Sequence, residues 1–259
     1  MHIQRNGIAC KTYLYNEFRR TLNLWKQTLL QPVISSTLYF LIFGKLLGQR
    51  MGAIADVSYV EFIIPGLLMM NMLNSAFHAS VFVVFLAKFT KSIEEILVSP
   101  MHPLAILLSF MGAGIMRGLL VGGLVGGVSL CFTSIEVTHP VLVLGIAVLA
   151  CSVFSALGVI NGLYAKTFDD TMGIPTFVIT PLSYLGGIFY SVSMLPPFWQ
   201  KMALFNPLVY LIGNFRTAFH GTQEIPVSLE ISLCFMIAAM LGLGWIGYRM
   251  IERRTGLAE

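Results

Sequence analysis

Six apolar stretches, each long enough to cross a bilayer, fill most of this chain, and they restrict it to folds whose solvent is lipid. They run over Leu29–Leu47, Phe62–Ala87, Leu104–Phe132, Val141–Tyr164, Ile174–Val192 and Leu229–Tyr248. At about 1.5 Å per helical residue, even the shortest approaches the roughly 30 Å of a hydrocarbon core. Inside lipid each backbone N–H and C=O must find its partner within the protein, so the expected fold is all-α, a polytopic membrane protein with six transmembrane helices. Hydrophobic residues make up 56 % of the 259 residues and charged residues 11 %, which leaves no material for a separate soluble domain. The reading is one transmembrane domain over residues 1–259.

Charge matters here through position. Arg5, Lys11, Arg19, Arg20, Lys26, Lys88, Lys91, Lys166, Arg249, Arg253 and Arg254 fall on one side of the expected membrane, against Lys45, Arg50, Lys201 and Arg216 on the other. The positive-inside bias puts both termini in the cytoplasm. No basic run with interleaved aromatics points to nucleic acid. Cys10, Cys131, Cys151 and Cys234 are far apart, with no zinc or disulfide spacing, and the last three read as small buried thiols. The first apolar run follows a charged segment and lacks a small-residue cleavage site after it, so it reads as a retained span.

That charged segment, residues 1–27, is amphipathic. Leu14, Phe18, Leu22 and Trp25 share one helical stripe, with Asn16, Arg20, Asn23 and Gln27 opposite. The pattern predicts a helix lying along the membrane surface, with Trp25 at headgroup depth. It is either a plain anchor or also a dock for a cytoplasmic partner.

Within the third span Gly114, Gly118, Gly122 and Gly126 repeat every fourth residue, flanked by Gly123 and Gly127. Such a strip lets another backbone approach closely, whether from the same chain or from a second copy. Gly158 and Gly162 repeat the spacing once, as chance would allow. Arg117 lies halfway along the same span, where a guanidinium costs a few kcal/mol unless it meets water, carbonyls or an acid. It either lines a polar pathway or belongs to a fixed structural network. With no Asp or Glu near it in sequence, carbonyls or water are its expected company.

Two connections carry more than turns. In residues 88–103, Lys88, Lys91, Glu94 and Glu95 alternate with Phe89, Ile93, Ile96 and Leu97, and Pro100 and Pro103 stop the run, which predicts a short amphipathic helix. It either caps the bundle or seats in a groove on a soluble partner. The fifth span contains Pro175, Pro181, Gly186 and Gly187. The segment 191–221 behind it holds Pro196, Pro197, Asn206 and Pro207 around an apolar run, Leu208 to Ile212, too short to span. An outer re-entrant hairpin is the economical reading, and a simple outer cap its rival.

No phosphate-binding G-x-x-x-x-G-K-[ST] loop occurs. His2, His78, His102, His139 and His220 form no metalloprotease pair, and no G-x-S-x-G is present, so neither catalytic nor metal residues are assigned. The absence of Asp and Glu within the spans weakens a proton-coupled carrier or an ion channel. The two halves also lack the matching interrupted helices of an inverted-repeat transporter.

In order along the chain, YFLIFG (Tyr39–Gly44), FIIPGLLMM (Phe62–Met70), IEEILVSP (Ile93–Pro100), NGLYAKTFDD (Asn161–Asp170), PTFVITPLSYLGGIFY (Pro175–Tyr190), LPPFWQ (Leu195–Gln200) and NPLVYLIGNFR (Asn206–Arg216) resemble the ABC-2 type permeases of bacterial ABC exporters, most closely the YadH-like branch. The resemblance implies an inner-membrane permease that exports an amphipathic, lipid-like or glycan substrate, or alternatively a drug or antibiotic. By the same likeness the loop with Lys91, Glu94, Glu95 and Pro100 is the coupling helix. Phe18, Leu22 and Trp25 lie on the interface helix, and Pro196, Pro197, Asn206, Pro207 and Arg216 lie in the outer re-entrant hairpin. Two permease copies would join two P-loop ATPase subunits, which bind ATP and magnesium; no cofactor is expected on this chain. An ATP-independent carrier or channel and a non-transporting scaffold are the competing classes.

Overall fold

In a computed structural model, which describes residues 2–47, 53–54, 57–98, 101–133, 137–221 and 228–255, nearly all of the chain is helical. Helix α1 (His2–Asn23) leads into a second helical stretch: a π-helical turn (Lys26–Leu30), α2 (Gln31–Tyr39) and a further π-helical segment (Phe40–Leu47). Two-residue strands β1 (Ala53–Ile54) and β2 (Val57–Ser58) pair antiparallel, Ala53 opposite Ser58. Then follow α3 (Tyr59–Phe89), α4 (Ser92–Val98), α5 (Pro103–Ser129), α6 (Pro140–Tyr164) and α7 (Phe168–Ile174). A π-helical turn (Pro175–Ile179) joins α7 to α8 (Thr180–Leu185), and α9 (Pro197–Ala203), α10 (Pro207–His220) and α11 (Leu229–Glu252) complete the chain.

Local chemistry sets these boundaries. Ser58 and Glu61 form a reciprocal capping box at the start of α3, which absorbs two N–H groups that no helical carbonyl can reach. His102 caps α5, its Nδ1 accepting from the Leu104 N–H at 3.2 Å, and Pro103 fits the first turn because its missing N–H would be unpaired there anyway. Gly221 closes α10 at φ 74°, a left-handed conformation that costs glycine little.

Among the described residues α3, α5, α6 and α11 are long and apolar enough to cross a membrane. The first and fifth expected spans are helical but interrupted, and prolines explain why. Pro32 and Pro181 would each clash with the carbonyl four residues back, at Thr28 and Phe177, and both of those residues lie in the π-helical turns. The widened turn relieves the clash and accommodates the missing donor. The fifth stretch also stops at Leu185, short of the expected Val192, where the chain turns through Gly187 at φ 80°.

α3 is the central element, packed chiefly against α6 and α5. Its Phe62, Ile63, Leu67, Met69, Leu73 and Phe77 are fully buried. α11 lies on α6 and α5 and leaves Ile231, Phe235, Leu241 and Trp245 uncovered, as a lipid-facing helix does. Of the cysteines expected to be buried only Cys151 is; Cys131 and Cys234 are exposed.

Candidate functional site

The glycine strip of α5 faces its own chain. A Cβ on Gly114 would collide with the Ser80 and Ser155 hydroxyls. On Gly118 it would lie 2.7 Å from Cys151 Sγ and 3.0 Å from the Met72 carbonyl, and on Gly122 2.6 Å from Met72 Sδ. At Gly126 the nearest atom is at ordinary contact distance, 3.7 Å, and Gly123 and Gly127 face open space. The pair on α6 is no accident either: a Cβ on Gly158 would sit 2.6 Å from the Phe77 carbonyl, and one on Gly162 2.8 Å from Val84 Cβ. In lipid, association between helices relies on such close van der Waals contact, so α3, α5 and α6 form a dry, tightly seated core.

One position before Gly118 the same helix turns a different face. Arg117 is 8 % exposed, and among the described residues it makes no hydrogen bond or ion pair; its Nε is buried without a partner. It lines a cavity of about 570 Å³. The second helical stretch contributes Gln27, Thr28, Gln31 and Ser35 to this cavity, α3 contributes Asn71, Asn74, Ser75 and His78, α7 contributes Thr171, and the proline-bent fifth stretch contributes Thr180. Asn71 is held in place, its Nδ2 donating to Ser36 Oγ at 3.0 Å and to the Leu67 carbonyl at 2.7 Å. Among the described residues no acid lines the wall. Sequence reasoning singled out Arg117 and missed its surroundings, although the signal was available: Asn71, Asn74, Ser75 and His78 recur at i, i+3, i+4 and i+7, a polar stripe inside an apolar helix.

The cavity is flanked by α1, which packs on α5. Tyr13 meets Phe110 edge-on at 5.7 Å, and Leu14 fills the space over Gly112. The bundle-facing side of α1 is centred on Tyr13, Glu17 and Thr21, about one residue away from the apolar stripe. Phe18 is half-buried, while Leu22 and Trp25 stay 44 % and 49 % exposed. Arg20, expected on the outer face, turns inward to pair with Glu17 at 2.9 Å and lies over the Phe82 ring at 5.0 Å. Burial pushes the Glu17 carboxyl above its usual range, against the opposing pull of the Arg20 and Arg117 charges.

At the far end of α3 the chain reverses through Lys91, which has φ 59°. α4 docks by Ile93 and Ile96 and presents Glu94, Glu95 and Val98 to the outside; Pro100 lies outside the described residues. Lys88 is no free loop charge. Its Nζ donates to the carbonyls of Leu163 at 2.7 Å, Ala165 at 2.9 Å and Gly162 at 3.4 Å, closing the C-terminus of α6.

Residues 191–221 form a short helical turn, then α9 and α10. Pro196 and Pro197 start α9, and Pro207 starts α10. Asn206 caps α10, accepting from the Leu208 N–H at 2.9 Å, and donates to the Leu182 carbonyl at 2.7 Å. The run taken as too short to span belongs to a 14-residue helix with most of its apolar side chains buried. Arg216, counted in sequence as an outer loop charge, is 2 % exposed. It donates to the carbonyls of Phe62, Gly187 and Ile188 at 3.1, 3.0 and 3.3 Å, with its guanidinium 3.8 Å from the Phe62 ring centroid.

Among the described residues no group of three His, Cys, Asp or Glu side chains is placed to hold a metal ion. The fold and cavity define an almost wholly helical membrane protein with a polar chamber beside a glycine-packed core. The chain belongs to the ABC-2 type transporter family, whose model matches residues 8–220. It is 43 % identical over 252 residues to the inner membrane transport permease YadH of Escherichia coli K12, covering 96 % of this chain and 97 % of that one. It is also 25 % identical over 229 residues to nodulation protein J of Rhizobium leguminosarum bv. viciae, covering 85 % and 87 %.

Proposed function

We propose that this chain is the permease subunit of an inner-membrane ABC exporter, moving an amphipathic, lipid-like or glycan substrate out of the cytoplasm with ATP hydrolysed on a separate P-loop subunit. In this reading it crosses the membrane six times with both termini inside. The proline-bent first and fifth stretches serve as spans, α1 as the interface helix, and α9 and α10 as the outer re-entrant hairpin. Two permeases and two ATPases make the working unit.

The observation that carries the reading is the construction of α4. It is a short acidic helix fastened to the bundle by Ile93 and exposing Glu94 and Glu95, beside a lysine that ties the end of α3 to the end of α6. Force applied to α4 by closing ATPase subunits passes through Lys88 into the dry core as a rigid-body movement, which is how a packed bundle responds. Replacing Glu94 and Glu95 together with Lys is expected to abolish co-purification of the ATPase while leaving membrane insertion intact. Undiminished co-purification refutes α4 as the coupling element.

A further inference from the structure

We infer that the cavity around Arg117 is a binding site for a phosphate-type anionic headgroup. This rests on the permease reading only for what the bound molecule is for.

Of the buried charged side chains among the described residues, Glu17, Arg117 and Arg216, only Arg117 has neither a hydrogen bond nor an ion pair. Glu17 pairs with Arg20 at 2.9 Å, so this corner sets two arginines against one acid, and among the described residues Arg117 makes no ion pair of its own. Burying a guanidinium without a carbonyl or an acid is unfavourable unless something else meets it. The same chain shows the alternative at Arg216, where three carbonyls do so. Arg117 instead lines a chamber whose wall, among the described residues, holds amides, hydroxyls and the His78 ring but no carboxylate. A guanidinium forks onto two oxygens of a phosphate, and hydroxyls and amides supply further neutral hydrogen bonds, whereas a cationic ligand would find no counter-charge. At about 570 Å³ the chamber has room for a headgroup, and its apolar lining residues Leu24, Val81, Phe82 and Met172 suit the first carbons of an attached chain.

The test uses the purified full-length chain in detergent, without ATP or ATPase, and titrates lysophosphatidic acid, lysophosphatidylcholine and inorganic phosphate. Lysophosphatidic acid is expected to bind at least about tenfold more tightly than lysophosphatidylcholine, and Arg117→Gln is expected to lose about tenfold or more of that affinity. Arg117→Lys keeps the charge but loses the fork, so it should bind more tightly than Arg117→Gln and more weakly than the wild type, and Arg249→Gln, at the exposed end of α11, should retain all of the affinity. Gln31→Glu places a negative charge on the exposed wall without touching the core, so it keeps the test decisive if Arg117→Gln misfolds; it too should weaken binding. Competition by inorganic phosphate alone assigns the site to a soluble anion, and failure of phosphate to compete assigns it to a lipid headgroup. Equal binding of both lysolipids, or wild-type affinity in both Arg117→Gln and Gln31→Glu, overturns the inference. If binding holds while ATPase association fails, the site stands and the permease reading falls.

Discussion

Arg216 and Arg117 are buried to a similar degree, 2 % and 8 % exposed, yet their surroundings are opposite. Around Arg216 the start of α3 and the turn at Gly187 and Ile188 offer carbonyls from two separate parts of the chain, and the cation binds them together. Around Arg117 the neighbouring turns of α3 and the bent first and fifth stretches hold back and leave a chamber. The difference lies less in the arginines than in what flanks them. Gly118 and Gly114 pull α3 and α6 onto one face of α5, while Pro32 and Pro181 prevent the two outer stretches from closing as straight rods on another. A buried charge met by carbonyls holds a fold together, and one that lines a polar cavity is placed to bind.

The sharpest way to break this comparison is to remove each charge. Arg216→Met removes the cation that three buried carbonyls share and is expected to cost about 3 kcal/mol or more. In thermal unfolding of the detergent-solubilised chain this is a large fall in Tm. Arg117→Gln strands no carbonyl and is expected to change stability by about 1 kcal/mol or less. Equal losses would show that Arg117 is structural after all.

The glycines sharpen the comparison along α5 and α6. Gly158→Ala drives a methyl to within 2.6 Å of the Phe77 carbonyl and is expected to cost about 1–3 kcal/mol. Gly123→Ala meets nothing within 4 Å and is expected to be neutral or to gain up to about 1 kcal/mol from helix propensity. The same unfolding assay separates them, and a Gly158→Ala protein as stable as the wild type would disprove the tight seat.

The apolar lengths marked the helices, and the four-residue glycine repeat marked the close face of α5, because both depend on the chain's own period. Other features required knowing what stands opposite. The apolar stripe of α1 read as its membrane-surface face, and which neighbouring edge would seat on the bundle needed the fold: there Glu17 pairs with Arg20 at 2.9 Å and Thr21 is buried. Arg216 and Lys88 looked like loop charges because their carbonyl partners lie 154 and 75 residues away in sequence. The cavity was half visible: one polar stripe ran from Asn71 to His78 and another through Gln27, Gln31 and Ser35, but only the tertiary packing brings them face to face.

Lys88 supplies a smaller effect on the same theme of cations meeting carbonyls. Lys88→Met leaves the end of α6 uncapped and is expected to cost about 1–2 kcal/mol, less than Arg216→Met because this end of the bundle is only partly buried. Amide exchange near Leu163 and Ala165 should accelerate. Unchanged exchange there would remove Lys88 as the link between α4 and the core.

The smallest effect concerns how the cavity's third wall begins. Asp170 and Thr167 form a reciprocal cap on α7, the Asp170 carboxylate accepting from the N–H groups of Thr167 at 2.9 Å and Lys166 at 3.0 Å. These backbone donors hold its pKa below the usual carboxylate range. A carboxylate depressed in the folded state contributes stability above its unfolded value of about 3.9 and loses it as pH falls through the lowered folded value. Asp170→Asn keeps an acceptor but removes the charge, so the wild type should be the more stable at neutral pH, with the gap closing below about pH 4. Because Thr171 and Met172 follow directly in the cavity wall, the cap fixes where that wall starts. A gap that stays constant with pH would mean the Asp170 side chain positions α7 by shape alone.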